Sequence, residues 1–159
     1  MSVELINEAT LISRKYSREF WETALQLALS HGWRPLGTSS PTTGSLRGWR
    51  ELWTGTYLTN DAQTVLCEDA RSLANALERA LDDLSDENPE MDWDPKAWRE
   101  EDDLPDWFSP EEREIIEDGL RTHARDVLKM NPVEFLAGDE KENLKRFIRF
   151  CRLGSFIIM

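Results

Sequence analysis

The densest group of chemically capable side chains lies in "DENPEMDWDPKAWREEDDLPDW", Asp86 to Trp107. Asp86, Asn88, Glu90, Asp92 and Asp94 place an oxygen donor at every second position. Alternating oxygens are the raw material of a calcium loop. An EF-hand counted from Asp86 needs glycine at about position 6 and glutamate at about position 12, and those places hold Met91 and Ala97. Pro89 and Pro95 also stiffen the backbone. No dedicated metal site is expected. Nucleic-acid mimicry would need carboxylates spread over a broad ordered face, whereas these sit in one proline-punctuated connection. Protein binding suits the pattern better. Trp93, Trp98 and Trp107 are of the type that anchors interfaces, and carboxylates such as Asp92 and Asp94 would steer a basic partner. The plainer alternative is that the tryptophans pin a long connection to the body, with Asp94 capping a short helix that turns Trp98 inward.

Catalytic equipment is sparse. The chain has two histidines, His31 and His123, and two cysteines, Cys67 and Cys151. A structural zinc site needs about four Cys, His or carboxylate ligands at compact spacing, and these residues are scattered. His31 reads as a residue of a helix's last turn, His123 as half-buried, and the cysteines as reduced thiols. The glycines match neither phosphate-binding pattern, and no G-x-S-x-G turn occurs. The best candidate for a reactive or ligand-binding pocket is the group Tyr57, Asn60, Asp61 and Gln63. Asn60 and Asp61 are more simply turn formers. No catalytic residue and no cofactor is assigned.

The formal net charge is −12, and residues 82–107 alone hold twelve acids and two bases, so the rest of the chain is close to neutral. Phosphate backbones demand a basic footprint, so nucleic acid is not an expected partner. Lys141, Lys145, Arg149 and Arg152 recur at i, i+4, i+8 and i+11. Such a stripe is either a solvated face or a surface turned toward the acidic connection, within one chain or between two copies. No apolar run approaches the ~20 residues that span a bilayer, so no membrane partner is expected. The start of the chain lacks the pattern of a secretory signal, so a cytoplasmic location is expected.

Residues 1–159 read as a single domain interrupted by the acidic connection at 82–107. "SREFWETALQLALSHGW" has a wide apolar face at helical spacing, with Ser17 as cap and Gly32 as stop. Leu5, Ile6, Ala9 and Ile12 suggest a short helix before it. "ELWTGTYL" and "QTVLC" flank "TNDA", which predicts a hairpin. Asp69 is placed to cap a helix through Leu84. Ser109, Pro110 and Glu112 form a capping box for a further helix that ends near Asn131. A short turn follows to Leu136. Asp139 then caps a last helix, with Glu142 in the box position, and Gly154 releases the strand "SFIIM". The expected fold is mainly α within the α+β class: about four to six helices and a small antiparallel sheet made of the hairpin and the C-terminal strand.

"HGWRPLGT", "YLTNDAQTV", "DARSLANALERAL" and "FIRFCRLGSFII", in this order, resemble a group of small bacterial proteins with no assigned function. The resemblance covers most of the chain outside the acidic connection. Where the group would carry glycine in the hairpin turn, this chain has Ala62. The resemblance implies a bacterial cytoplasmic protein and carries no activity, cofactor or site residue. The function expected is non-catalytic: an immunity-like, inhibitor-like or accessory protein that binds an unidentified protein or itself. Trp93, Trp98, Trp107, Asp92, Asp94, Lys141, Lys145 and Arg149 are the candidate contact residues. The alternative is a small-ligand binder or hydrolase with a carboxylate pocket beside the hairpin.

Overall fold

The computed structural model describes residues 2–37, 57–58, 63–90, 109–112, 115, 122, 125–126 and 129–159. Among these, β1 (Ser2–Asn7) and β2 (Ser13–Ser17) lead into α1 (Arg18–Ser30). β3 (Gln63–Val65), α2 (Cys67–Ala80) and a 3-10 turn (Leu81–Asp83) follow. The chain closes with α3 (Pro132–Phe135), α4 (Asp139–Cys151) and β4 (Phe156–Ile158). This is the mainly helical α+β architecture, with a four-stranded antiparallel sheet in the order β2-β1-β4-β3.

The first departure from expectation is at the start. Leu5, Ile6, Ala9 and Ile12 do not form a helix; they belong to a β-hairpin. Their i, i+1, i+4, i+7 spacing imitates a helical face. The period that governs is two: Val3, Leu5 and Asn7 are buried and alternate with the more exposed Glu4 and Ile6. The neighbour that selects it comes from the other end of the chain, where Leu5 lies opposite Ile158 and Asn7 opposite Phe156. Asn7 builds the turn from inside, its Oδ1 accepting the amides of Ala9 and Thr10 at 3.1 and 2.8 Å. The C-terminal strand pairs with β3, as expected, and also with β1, so it is a central strand.

α1 behaves as its sequence predicts. Ser17 Oγ accepts the Phe20 amide at 3.1 Å, and Phe20, Trp21, Ala24, Leu25, Leu27 and Ala28 are buried. Trp21, Phe20 and Tyr16 meet Phe147 of α4 edge-on, with ring centroids 5.6, 6.3 and 5.5 Å away. α2 packs against both α1 and α4 and buries Ala70, Leu73, Ala74, Ala76, Leu77 and Ala80. Helices therefore cover the sheet face that carries Val3, Leu5, Val65, Phe156 and Ile158. The capping box at Ser109 forms both ways: Ser109 N–H reaches Glu112 Oε2 at 2.7 Å, and Glu112 N–H reaches Ser109 Oγ at 3.2 Å.

Two expected caps are not caps. α2 begins at Cys67, so Asp69 lies inside its first turn, and the Leu66 side chain makes no cap bond. The Asp69 carboxylate is fully buried and turns into the core instead. It accepts Trp33 Nε1–H at 3.1 Å, the Leu36 amide at 3.0 Å and the Tyr57 hydroxyl. Asp139 is likewise the first residue of α4, and Gly138 stands at the cap position.

Candidate functional site

The acid capping α4 is replaced by a group from far away in sequence. Asn88, in the acidic connection, accepts the Asp139 amide on Oδ1 at 2.9 Å and donates from Nδ2 to Asp139 Oδ2 at 3.2 Å. The same Oδ1 accepts Arg125 Nη2–H at 3.0 Å. Arg125 is fully buried, and its Nη1 donates to the carbonyls of Phe135 and Ala137. Asn88 thus joins the root of the acidic connection to α4 and, through Arg125, to the end of α3. An aspartate could not serve both Asp139 groups, because its second oxygen would face the Asp139 carboxylate.

Gly138 makes the approach geometrically feasible. Its φ of +62° and ψ of −122° lie in a region open to glycine. Its amide donates to Ser85 O at 2.9 Å. Lys141, one turn into α4, donates to Leu84 O at 2.9 Å and to Asp86 Oδ1 at 2.7 Å. The lysine holds the Asp86 carboxyl below its ordinary range, first through the hydrogen bond and then through its charge. The root is thus fixed mainly by the Leu84 side chain, two backbone carbonyls and an amide side chain. Asp82, Asp83, Asp86, Glu87 and Glu90 remain exposed on it.

Of the basic stripe, Lys141 reaches this root. Lys145 pairs with Glu142 on its own helix at 2.7 Å. Arg152 reaches Glu78 and Asn75 of α2. Arg149 lies on α4 and adds to the positive field that, after Lys145, keeps the Glu142 carboxyl low. Asp92, Asp94, Trp93, Trp98 and Trp107 lie outside the described residues, as does His123.

Of the hairpin group, Tyr57 and Gln63 belong to the described residues. Tyr57 is buried and its hydroxyl is committed to Asp69, while Gln63 is buried on β3. Asn60 and Asp61 lie outside the described residues. Cys151 is buried, which pushes its thiol well above the ordinary cysteine range. Cys67 is exposed at the start of α2, beside an open hollow of about 390 Å³ lined by Glu8, Ala9, Leu153, Gly154 and Ser155. Among the described residues no three His, Cys, Asp or Glu side chains cluster so as to hold a metal ion, and no helix is long and apolar enough to cross a membrane.

Asn88, Arg125 and Gly138 organise this region; sequence reading took Asn88 as one of a run of alternating oxygen donors and assigned Arg125 no role. The alternating oxygens at Asn88 and the helix-cap reading of Asp69 are local signals. Neither signal names the distant partner.

Lys141 is the more consequential half of its ion pair, because its side chain is only 12% exposed and it also serves the Leu84 carbonyl. Lys141→Met is expected to lower the unfolding free energy by ~1–2 kcal/mol, read by urea denaturation. Asp86→Asn, at an 85% exposed position, should cost less. Equal losses would show that the ion pair, not the bond to Leu84 O, holds the root.

Fold and site together define a mainly helical α+β protein with an acidic segment rooted on its last helix. No family model, curated protein or solved structure matches the chain.

Proposed function

We propose that this is a non-catalytic bacterial cytoplasmic protein that uses residues 82–107 to bind a basic protein partner, in an immunity-like, inhibitor-like or accessory role. The supporting observation is the way the root of that segment is held. Asn88, Ser85 O and Leu84 O do most of the anchoring, and the carboxylates of residues 82–90 are left toward solvent. A held carboxylate surface raises the encounter rate with a cationic partner at little conformational cost on binding. Trp93, Trp98 and Trp107 would supply the apolar anchors, with Asp92 and Asp94 on either side of Trp93.

Affinity capture from the source cell tests this, with wild type beside Trp93→Ala/Trp98→Ala and beside Asp82→Asn/Glu87→Gln/Glu90→Gln. The wild type is expected to retain a basic protein. The tryptophan variant should lose it, and the charge variant should associate about tenfold more slowly at low salt, with the gap closing as salt is raised. Circular dichroism checks that both variants fold. A partner retained equally by all three folded proteins would refute the reading.

A further inference from the structure

The acidic segment leaves the body through the 3-10 turn Leu81–Asp83, and one histidine holds that turn to the end of α1. His31 occupies the C-cap position of α1. Its Nε2 lies 2.8 Å from Asp83 Oδ2, and its Nδ1 lies 3.0 Å from Leu27 O. Both partners are acceptors. An imidazolium has two N–H donors and satisfies both; a neutral ring has one. Whichever nitrogen keeps the proton, the other turns a lone pair toward oxygen. Arg79 of α2 completes the clasp by donating from Nη2 to His31 O at 2.8 Å.

We infer that His31 is a pH-operated latch: its protonated ring ties α1 to the turn from which the acidic segment departs, and deprotonation loosens that root. The inference concerns the chain itself and stands whatever the segment binds. The charged groups around the ring come from three places. Asp83, on the 3-10 turn, favours the cation. Arg79, on α2, opposes it. Arg34, just past α1, spends its guanidinium on Leu29 O and Trp33 O. The hydrogen bond to Asp83, then the one to Leu27, outweigh burial and Arg79, so the ring holds its proton above the ordinary 6.5. A folded-state pKa raised in this way gives a stabilisation that is complete below 6.5 and disappears as pH rises through the raised value.

Ser30 supplies a diagnostic. Its Oγ donates to Leu27 O at 2.7 Å and lies 3.1 Å from His31 Nδ1. On deprotonation the hydroxyl can turn and donate to the bare Nδ1, which eases the neutral form. Ser30→Ala removes that relief and should raise the midpoint further, whereas Asp83→Asn should lower it.

The test is a proton NMR titration of the two histidine rings, with His31 assigned by its loss in His31→Asn. The amide protection of Leu84, whose N–H bonds Leu81 O at 3.1 Å, is followed in parallel. In the wild type the His31 midpoint is expected above 6.5. The Leu84 protection factor, corrected for intrinsic exchange, should fall about two- to fivefold across it, the factor expected of a half-exposed ion pair. In Asp83→Asn, changed at a surface position, the midpoint should drop and Leu84 protection should no longer follow pH. A His31 midpoint at or below 6.5, or Leu84 protection constant through the titration, would overturn the latch.

Discussion

Gly138→Ala is expected to lower the unfolding free energy by ~3 kcal/mol, a large effect for adding one methyl group. Two costs combine. The residue sits at φ +62° and ψ −122°, where an L side chain is strained. A Cβ built there would come within 2.7 Å of the Asn88 backbone nitrogen and Cα, and closer still to Asn88 Oδ1. Backbone atoms cannot rotate away, so residues 85–88 would have to lift. Lifting them breaks the Gly138–Ser85 bond and withdraws Asn88 from Asp139 and Arg125. Gly32→Ala is the control: its φ is +90°, but nothing lies within 4 Å of an added Cβ. That variant should show the strain alone, ~1 kcal/mol. Urea denaturation of both proteins checks the difference. Equal losses would mean that Asn88 does not press on Gly138.

Asp69→Ala should cost ~3–5 kcal/mol, because each buried donor left unpaired carries its own penalty. The carboxylate gathers Trp33 from the loop after α1, the Leu36 amide and the Tyr57 hydroxyl, and Ser72 Oγ lies 3.4 Å from its Oδ1. The first three donors come from the segment after α1 and from Tyr57, all outside α2. Asp69→Asn keeps an acceptor for one side but turns N–H groups on another donor, so it should recover only part of the loss. Tyr57→Phe in the Asp69→Ala background should be nearly free, since the hydroxyl has then lost its acceptor; in the wild type it should cost ~1 kcal/mol or more. Additive losses in that cycle would show that the hydroxyl and the carboxylate do not act together. Trp33 fluorescence offers a second view, because its indole N–H is released in the same variant.

Several periodic and capping signals were local, and these translated directly. α1 with Ser17, the box at Ser109 and the glycine exits at Gly32 and Gly154 all depend on residues within about one turn of each other. The N-terminal hairpin was misread because Leu5, Ile6, Ala9 and Ile12 satisfy a helical spacing that β4 overrides through pairing across the whole chain. Asp69 was misread for a related reason. An acid at a helix start has a local use, and here Trp33 and Tyr57 outbid it from outside the helix.

The amino-acid order alone determined the class of fold, the existence and type of most elements, and the concentration of net negative charge in residues 82–107, because each follows from short-range periodicity, capping chemistry or composition. Tertiary structure decided which strand lies at the centre of the sheet, that Asn88 caps a helix fifty-one residues away, that Asp69 is a buried acceptor, and that His31 faces Asp83. Each of these pairs groups distant in sequence. Their meeting depends on how the core packs, and neither partner's neighbours in the chain record it.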